Sequence, residues 1–348
     1  MYSLFRPILF RLDAERAHAL TLYALRFTQS FPPLLWLLRQ MYSAPPSPVQ
    51  AFGLTFKNPI GLAAGYDKDA QAVRGLAALG FGHVEVGTVT RLPQEGNPKP
   101  RVFRLAEDEA VINRMGFPSR GSEFARAQLL ELKKKKARAL DSILGVNIGR
   151  NKSTPNEEAV LDYLALLRVF APYADYVTVN ISSPNTAGLR ALQGRAALEG
   201  LLSELHAQRL IEQAKHNKRI PLLVKLAPDL SESELDDALD VILQTRMDGV
   251  IATNTTLARD GLRSRLAGEQ GGLSGGPLKV RSEALLKRTA ARVNGAIPIV
   301  SAGGIMSPED ARRRLEMGAA LIQVYTGLVY HGPGLVRRIL KAPQVNRF

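Results

Sequence analysis

The chain contains no cysteine. That excludes disulfides, thiolate metal ligands, iron–sulfur ligation and a catalytic thiol. Histidine is scarce as well. Residues 18, 83, 206, 216 and 331 are the only ones, and no ligand spacing relates them; no metal site is therefore expected. No apolar run reaches the length that crosses a bilayer. Arg6, Arg11, Asp13, Glu15 and Arg16 interrupt the N-terminal apolar residues where a signal peptide would keep an uncharged stretch. The reading is a protein made and kept in the cytoplasm and free to lie on a membrane. Acid is in deficit: 46 Lys and Arg face 32 Asp and Glu, a net charge of +14. This balance favours anionic surfaces or metabolites. Zinc-finger spacing, RNP-like motifs and basic–aromatic interleaving are all missing, so nucleic acid is not an expected partner. The densest basic run, Lys133 to Lys136, ends a helical pattern that begins near Ser122 and reads as a solvated helix end.

What is present fits a globular core: 45% hydrophobic and 22% charged residues. A length of 348 residues suits two average domains or one large α/β barrel. Residues 1–45 form an apolar, arginine-rich segment that Pro32-Pro33 divides into two helices or more, and Pro45-Pro46-Ser47-Pro48 closes it as a stiff linker. Such a positively charged amphipathic hairpin resembles an interfacial membrane anchor. A helical cap on the main domain is the other reading, and both can hold.

The remainder, 46–348, alternates short apolar runs with helical patterns. The runs are Ile60–Ala63, His83–Val86, Ile143–Val146, Tyr176–Val179, Leu222–Val224, Gly249–Ile251, Ile297–Val300 and Leu321–Val324. Strand–helix alternation repeated this often predicts an α/β fold of the (β/α)8 TIM-barrel type, with a doubly wound open sheet as the runner-up. Residues 91–125 read as an inserted hairpin over the barrel top.

In such a barrel the chemistry gathers where strands end. The ends here are Ala64-Gly65-Tyr66-Asp67-Lys68, Gly87-Thr88, Asn147-Ile148-Gly149, Asn180-Ile181-Ser182-Ser183-Pro184-Asn185-Thr186, Lys225, Thr253-Asn254-Thr255-Thr256, Ala302-Gly303-Gly304 and Tyr325-Thr326-Gly327. Apart from Asp67 and Asp69 they carry no carboxylates, so glycosidase chemistry is not indicated. Amides, hydroxyls, glycines and two lysines suit a planar, hydrogen-bonding cofactor and substrate. Gly303-Gly304 and Thr326-Gly327, with a helix start at Ser307-Pro308-Glu309, suggest a phosphate cradle. Gly271 to Gly276 reads as a flexible loop closing near it. Lys225 is either a Schiff-base nucleophile, as in an aldolase, or a fixed cation beside a reduced ring. Lys68 is placed to meet a substrate carboxylate.

Four motifs in order resemble class 2, quinone-linked dihydroorotate dehydrogenases: Gly61-Leu-Ala-Ala-Gly-Tyr-Asp-Lys, Asn113-Arg-Met-Gly-Phe, Asn180-Ile-Ser-Ser-Pro-Asn-Thr and Ile251-Ala-Thr-Asn-Thr-Thr. The resemblance covers nearly the whole chain. It implies FMN-dependent oxidation of dihydroorotate to orotate in pyrimidine synthesis, with a membrane quinone as acceptor. It implies FMN contacts from Ala64, Gly65, Lys68, Thr88, Asn147, Asn180, Lys225, Thr253, Gly276, Gly304, Tyr325 and Thr326. Gly275 is the alternative to Gly276. Substrate contacts would come from Lys68, Asn113, Arg114, Met115, Gly116, Phe117, Asn180, Asn185, Asn254 and Thr255. Ser183 is similar to the family's catalytic base, where soluble class 1 enzymes carry cysteine; Thr186 and a water would relay its proton. His18 and Arg101 are similar in context to residues lining the family's quinone passage. Pro118-Ser119 departs from the usual amides and leaves the geometry of that loop open. A monomer on the cytoplasmic face of the membrane, attached peripherally through its N-terminal helices, is the expected state. A non-catalytic membrane scaffold is the rival from another class, and a colourless purified protein would favour it.

Overall fold

Eight short parallel strands close on themselves: Ile60–Leu62, His83–Val89, Ile143–Ile148, Tyr176–Asn180, Leu222–Leu226, Gly249–Ala252, Ile299–Ala302 and Leu321–Val324. They are called barrel strands one to eight below. The computed structural model describes residues 2–134 and 140–342; Lys135 and Lys136 of the basic run and residues 343–348 lie outside the described residues. Strand eight pairs with strand one through Ile322 and Ile60, which completes the ring. All eight predicted runs are barrel strands, which rules out the open sheet. Their apolar runs are continuous because both faces are buried, as parallel sheets require. Helices such as Ala159–Phe170 and Glu232–Gln244 pack on the outer face, and most of the buried core lies between them and the strands.

A hairpin missed in the sequence, Val49–Ala51 with Leu54–Phe56, precedes the first barrel strand. Phe52 and Phe56 from it pack with Tyr176, Leu223, Ile251, Val300 and Leu321 and fill the barrel floor. Three-residue strands beside a proline-rich linker have too little periodicity to read.

The N-terminal segment is three helices, within the expected two or more: α1 (Tyr2–Arg11), α2 (Ala14–Ser30) and α3 (Pro32–Tyr42). The first break falls at Asp13, whose side chain accepts the backbone N–H groups of Glu15 and Arg16 as an N-cap. The second falls at Phe31, with Pro32 opening α3, where its missing N–H costs nothing. One side of this cap is fastened to the barrel. Thr21 Oγ1 lies 2.9 Å from the Tyr66 hydroxyl, and Gln29 Nε2 donates to the Gln71 carbonyl at 2.6 Å. The other side exposes Leu4, Phe5, Ile8, Tyr23, Phe27, Trp36 and Leu37. Among the described residues no helix is long and apolar enough to cross a membrane.

The insertion is the expected hairpin, Val102–Leu105 with Ala110–Asn113. It gains a third strand, Gly272–Gly275, which pairs antiparallel with Ala110–Asn113. The segment expected to be a flexible loop is therefore a strand. Its partner is remote in sequence and its glycines carry no pattern, so no local signal marks it.

Candidate active site

A cavity of about 460 Å³ sits over the C-terminal mouth of the barrel and continues between α1 and α2, within the size range of small-molecule sites. Its barrel end is lined by Ala64, Gly65, Lys68, Thr88, Asn180, Ser183, Asn185, Lys225, Thr253, Asn254, Thr255, Gly304, Tyr325 and Thr326. Asn113, Met115, Gly116 and Phe117 from the insertion cover it, with Gly275 from the third strand. The outer end is formed by Tyr2, Leu9, Phe10, Ala17, His18, Leu25 and Leu38. Most residues singled out in the sequence thus meet in one chamber, because they lie at the C-terminal ends of the parallel strands or on the insertion that covers those ends.

The amides are wired to one another. Asn180 donates to Thr88 Oγ1 at 2.9 Å and to Asn147 Oδ1 at 3.1 Å, and its own oxygen accepts from Ser182 Oγ. Asn254 donates to Ser182 Oγ at 2.9 Å, and Asn185 to Asn113 Oδ1 at 3.2 Å. Ser183 is buried, and its Oγ accepts the Asn185 N–H at 3.2 Å. Lys68 donates to the Gly65 carbonyl at 2.7 Å, and burial pulls its amine down to about 8. Burial also lowers Lys225, with Glu85 opposing that shift. Lys225 makes no ion pair or hydrogen bond with the described residues. His18 stacks edge-on against Tyr66 at 4.7 Å; burial and then Lys68 push its imidazole down to about 3, so it is neutral.

Several expected positions fall elsewhere. Asn147 does not face the cavity: it is enclosed in the barrel, donating to Glu85 and accepting from Thr88 and Asn180. Arg114 turns away to pair with Glu269 at 2.6 Å, its guanidinium over the Phe103 ring. Gly276 lies outside the cavity wall and Gly275 within it. Arg101 lines a neighbouring open groove, where it pairs with Glu15 at 2.7 Å. The arginine in the cavity is Arg104, three residues on, which donates to the Leu9 carbonyl and sits over the Phe10 ring. Alternation along the strand explains the difference between the two arginines. Thr186 is buried with an unpartnered hydroxyl, away from the cavity wall. The helix start at Ser307 is already served, because Asp310 accepts the Met306 and Ser307 N–H groups. The Pro118-Ser119 departure is compensated: Gln94 Nε2 holds the Gly116 and Phe117 carbonyls.

Two residues went unnoticed in the sequence. Glu85 is fully buried in the barrel and accepts from Asn147, Tyr176, Thr178 and Gln323. An acid inside the apolar run His83-Val-Glu-Val was the available signal. Arg190 links the strand-four and strand-six ends by donating to the Ser182 and Thr255 carbonyls. No local pattern distinguishes it from a surface arginine.

A closed α/β barrel with a polar chamber at its C-terminal mouth and an apolar annex built by N-terminal helices has the architecture of a barrel enzyme with its small-molecule site at the strand ends. The family profile of dihydroorotate dehydrogenase matches residues 48–344. The chain belongs to the dihydroorotate dehydrogenase family. It is 48% identical over 340 residues to the dihydroorotate dehydrogenase (quinone) of Idiomarina loihiensis, covering 98% of this chain and 99% of that one. To that of Flavobacterium lutescens it is 51% identical over 337 residues, 97% and 94% of the two chains. The crystal structure of the Eimeria tenella dihydroorotate dehydrogenase in complex with ferulenol superposes with a TM-score of 0.84 at 39% identity, covering 94% of this chain and 90% of that one.

Proposed function

We propose that this chain oxidises dihydroorotate to orotate in de novo pyrimidine biosynthesis, with FMN as the bound cofactor and a membrane quinone as the final electron acceptor. The observation that carries the reading is the single chamber joining an amide-lined barrel mouth to an apolar annex under α1 and α2. The donor set fits FMN. Lys225 brings an unpaired buried cation, Asn180 and Thr253 bring hydrogen-bonding edges, and Gly304 brings a backbone N–H with no acceptor among the described residues. Ala64, Gly65, Lys68, Thr88, Gly275, Tyr325 and Thr326 complete the proposed contacts, with Asn147 orienting Asn180 and Thr88 from behind. When bound, FMN supplies the acceptor for a hydride from the substrate and passes the electrons on.

The chain's own residues supply placement and proton transfer. Lys68 faces the substrate carboxylate. Asn113, Asn185, Asn254 and Thr255 pair with the amide edges of the pyrimidine, along with the backbone of Met115 to Phe117. Ser183 Oγ takes the ring proton while its own proton passes to a water in the chamber, and the Asn185 N–H that it accepts stabilises the oxygen in between. Residues 1–45 form the passage for quinone and the membrane contact, with His18 and Arg104 on its wall. Residues 46–348 form the barrel. Peripheral attachment at the cytoplasmic face, as a monomer, belongs to the same proposal.

The purified protein is expected to be yellow, with a flavin spectrum. Ser183→Ala should slow flavin bleaching by dihydroorotate roughly 10²–10⁴-fold in stopped flow while retaining the flavin. A colourless protein, or bleaching at an unchanged rate, refutes the assignment of cofactor or base respectively.

A further inference from the structure

Among the described residues Arg314 is the largest side chain with no exposed surface. It stands on the helix Pro308–Glu316, behind the loop that follows strand seven. Its Nη2 reaches the Gly303 carbonyl at 2.9 Å, the Ser282 hydroxyl at 2.7 Å and the Lys279 carbonyl at 3.2 Å. Nη1 lies 3.4 Å from Ser301 Oγ, and Nε lies 3.6 Å from the Glu283 carboxylate. The Ser282 hydroxyl is 2.9 Å from the same Gly303 carbonyl. That carbonyl is thus held from two sides.

The consequence runs through the peptide plane. The Gly303–Gly304 bond is trans, so its C=O and N–H point in opposite directions. With the carbonyl drawn inward to Arg314, the Gly304 N–H faces the other way. Both glycines line the cavity, and the Gly304 N–H has no acceptor among the described residues. The backbone cannot relax around a side chain either. Gly304 has φ +72°, and a Cβ there would lie 2.4 Å from Lys279 Cα. A guanidinium pulled down only to about 10 by burial stays charged at neutral pH. A fixed cation and a fixed N–H therefore back the same small area of cavity wall, and an anion gains from both.

We propose that Arg314 is the positioning residue of the flavin phosphate subsite: it clamps the Gly303 carbonyl, presents the Gly304 N–H to the phosphate, and places a positive charge behind that peptide without touching the ligand. This rests on the flavin reading above. It concerns the phosphate end alone and leaves the ring contacts to other residues.

The test separates phosphate from ring. Full-length wild type, Arg314→Lys and Arg314→Met are stripped of flavin and titrated with FMN and with riboflavin, which lacks the phosphate; quenching of flavin fluorescence gives the dissociation constants. Arg314→Met should weaken FMN about tenfold or more and leave riboflavin within about twofold. Arg314→Lys, which keeps a cation and a donor, should restore most of the FMN affinity. Ser282→Ala, which removes the second group on the Gly303 carbonyl, should move FMN the same way by less, and reads the same prediction if Arg314→Met does not fold. Equal losses for FMN and riboflavin, or no loss for either, overturn the proposal. Wild type that binds neither flavin overturns the functional reading itself.

Discussion

Glu85 is the one acidic residue and Lys225 the one lysine or arginine in the eight barrel strands, and both are buried in the interior. Each makes the other tolerable. The Glu85 carboxylate takes four donors, and its charge opposes the desolvation of Lys225. Gln in place of Glu85 leaves part of its donor set unsatisfied and Met in place of Lys225 removes a buried amine, so each change should shift the stability of the fold by about 1–3 kcal/mol. Urea unfolding of Glu85→Gln, Lys225→Met and the double variant checks this. The double variant should lose less than the sum of the two, by about 0.5–3 kcal/mol; strict additivity would mean the two charges do not sense each other.

With Lys68 in its proposed role, substrate binding should have a basic limit. Its amine is pulled down to about 8, so it is a cation below that pH and neutral above it. Orotate affinity should hold up to about pH 8 and then fall as the proton leaves. Lys68→Met should bind orotate roughly 10–100-fold more weakly and show no such step. Titration of orotate against pH, followed in the flavin spectrum, measures both. A step that survives in Lys68→Met assigns it to another group.

His83 sets an acid limit on stability. Both ring nitrogens are buried without a partner, and burial pushes the imidazole from 6.5 down to about 3. Above pH 6.5 folded and unfolded chains both leave it neutral. As pH falls below 6.5, the unfolded chain takes up a proton that the folded chain refuses, so stability drops progressively toward pH 3. The slope from this residue is about 1.4 kcal/mol per pH unit. His83→Leu should remove that increment from the acid branch and leave the stability at pH 7 nearly unchanged. Denaturant midpoints at pH 4, 5 and 7 distinguish the two chains.

The chain has one tryptophan, Trp36, 62% exposed on α3 among the bare apolar residues of the cap. Anionic vesicles should shift its emission to the blue if that face docks on lipid. Replacing Leu4, Phe5 and Ile8 together with serine should weaken vesicle binding at least tenfold, since each buried aliphatic or aromatic side chain contributes about 1.5–3 kcal/mol. An emission maximum indifferent to vesicles would remove the membrane from the proposal.

The barrel was legible because burial on both strand faces leaves an unbroken apolar run, and a run survives inspection without knowing its partners. Ile299–Ala302 lies two residues further along than the predicted Ile297–Val300. The site was legible to the same degree, since strand ends carry it. Side-chain direction was not. Arg101 and Arg104, or Gly275 and Gly276, differ only in which way the chain faces, and a resemblance by motif does not resolve that. Pairing across long separations was the other blind spot: Gly272–Gly275 is a strand only because Ala110–Asn113 lies beside it.

That third strand has a mechanical consequence. The hairpin from the insertion and the segment after strand six form one stitched roof over the mouth, and a ladder of this kind does not let one rung go alone. A disturbance of the hairpin is therefore felt in residues 272–275 as well, and Asn113 and Gly275, one from each partner of the ladder, hold their places on the cavity wall together.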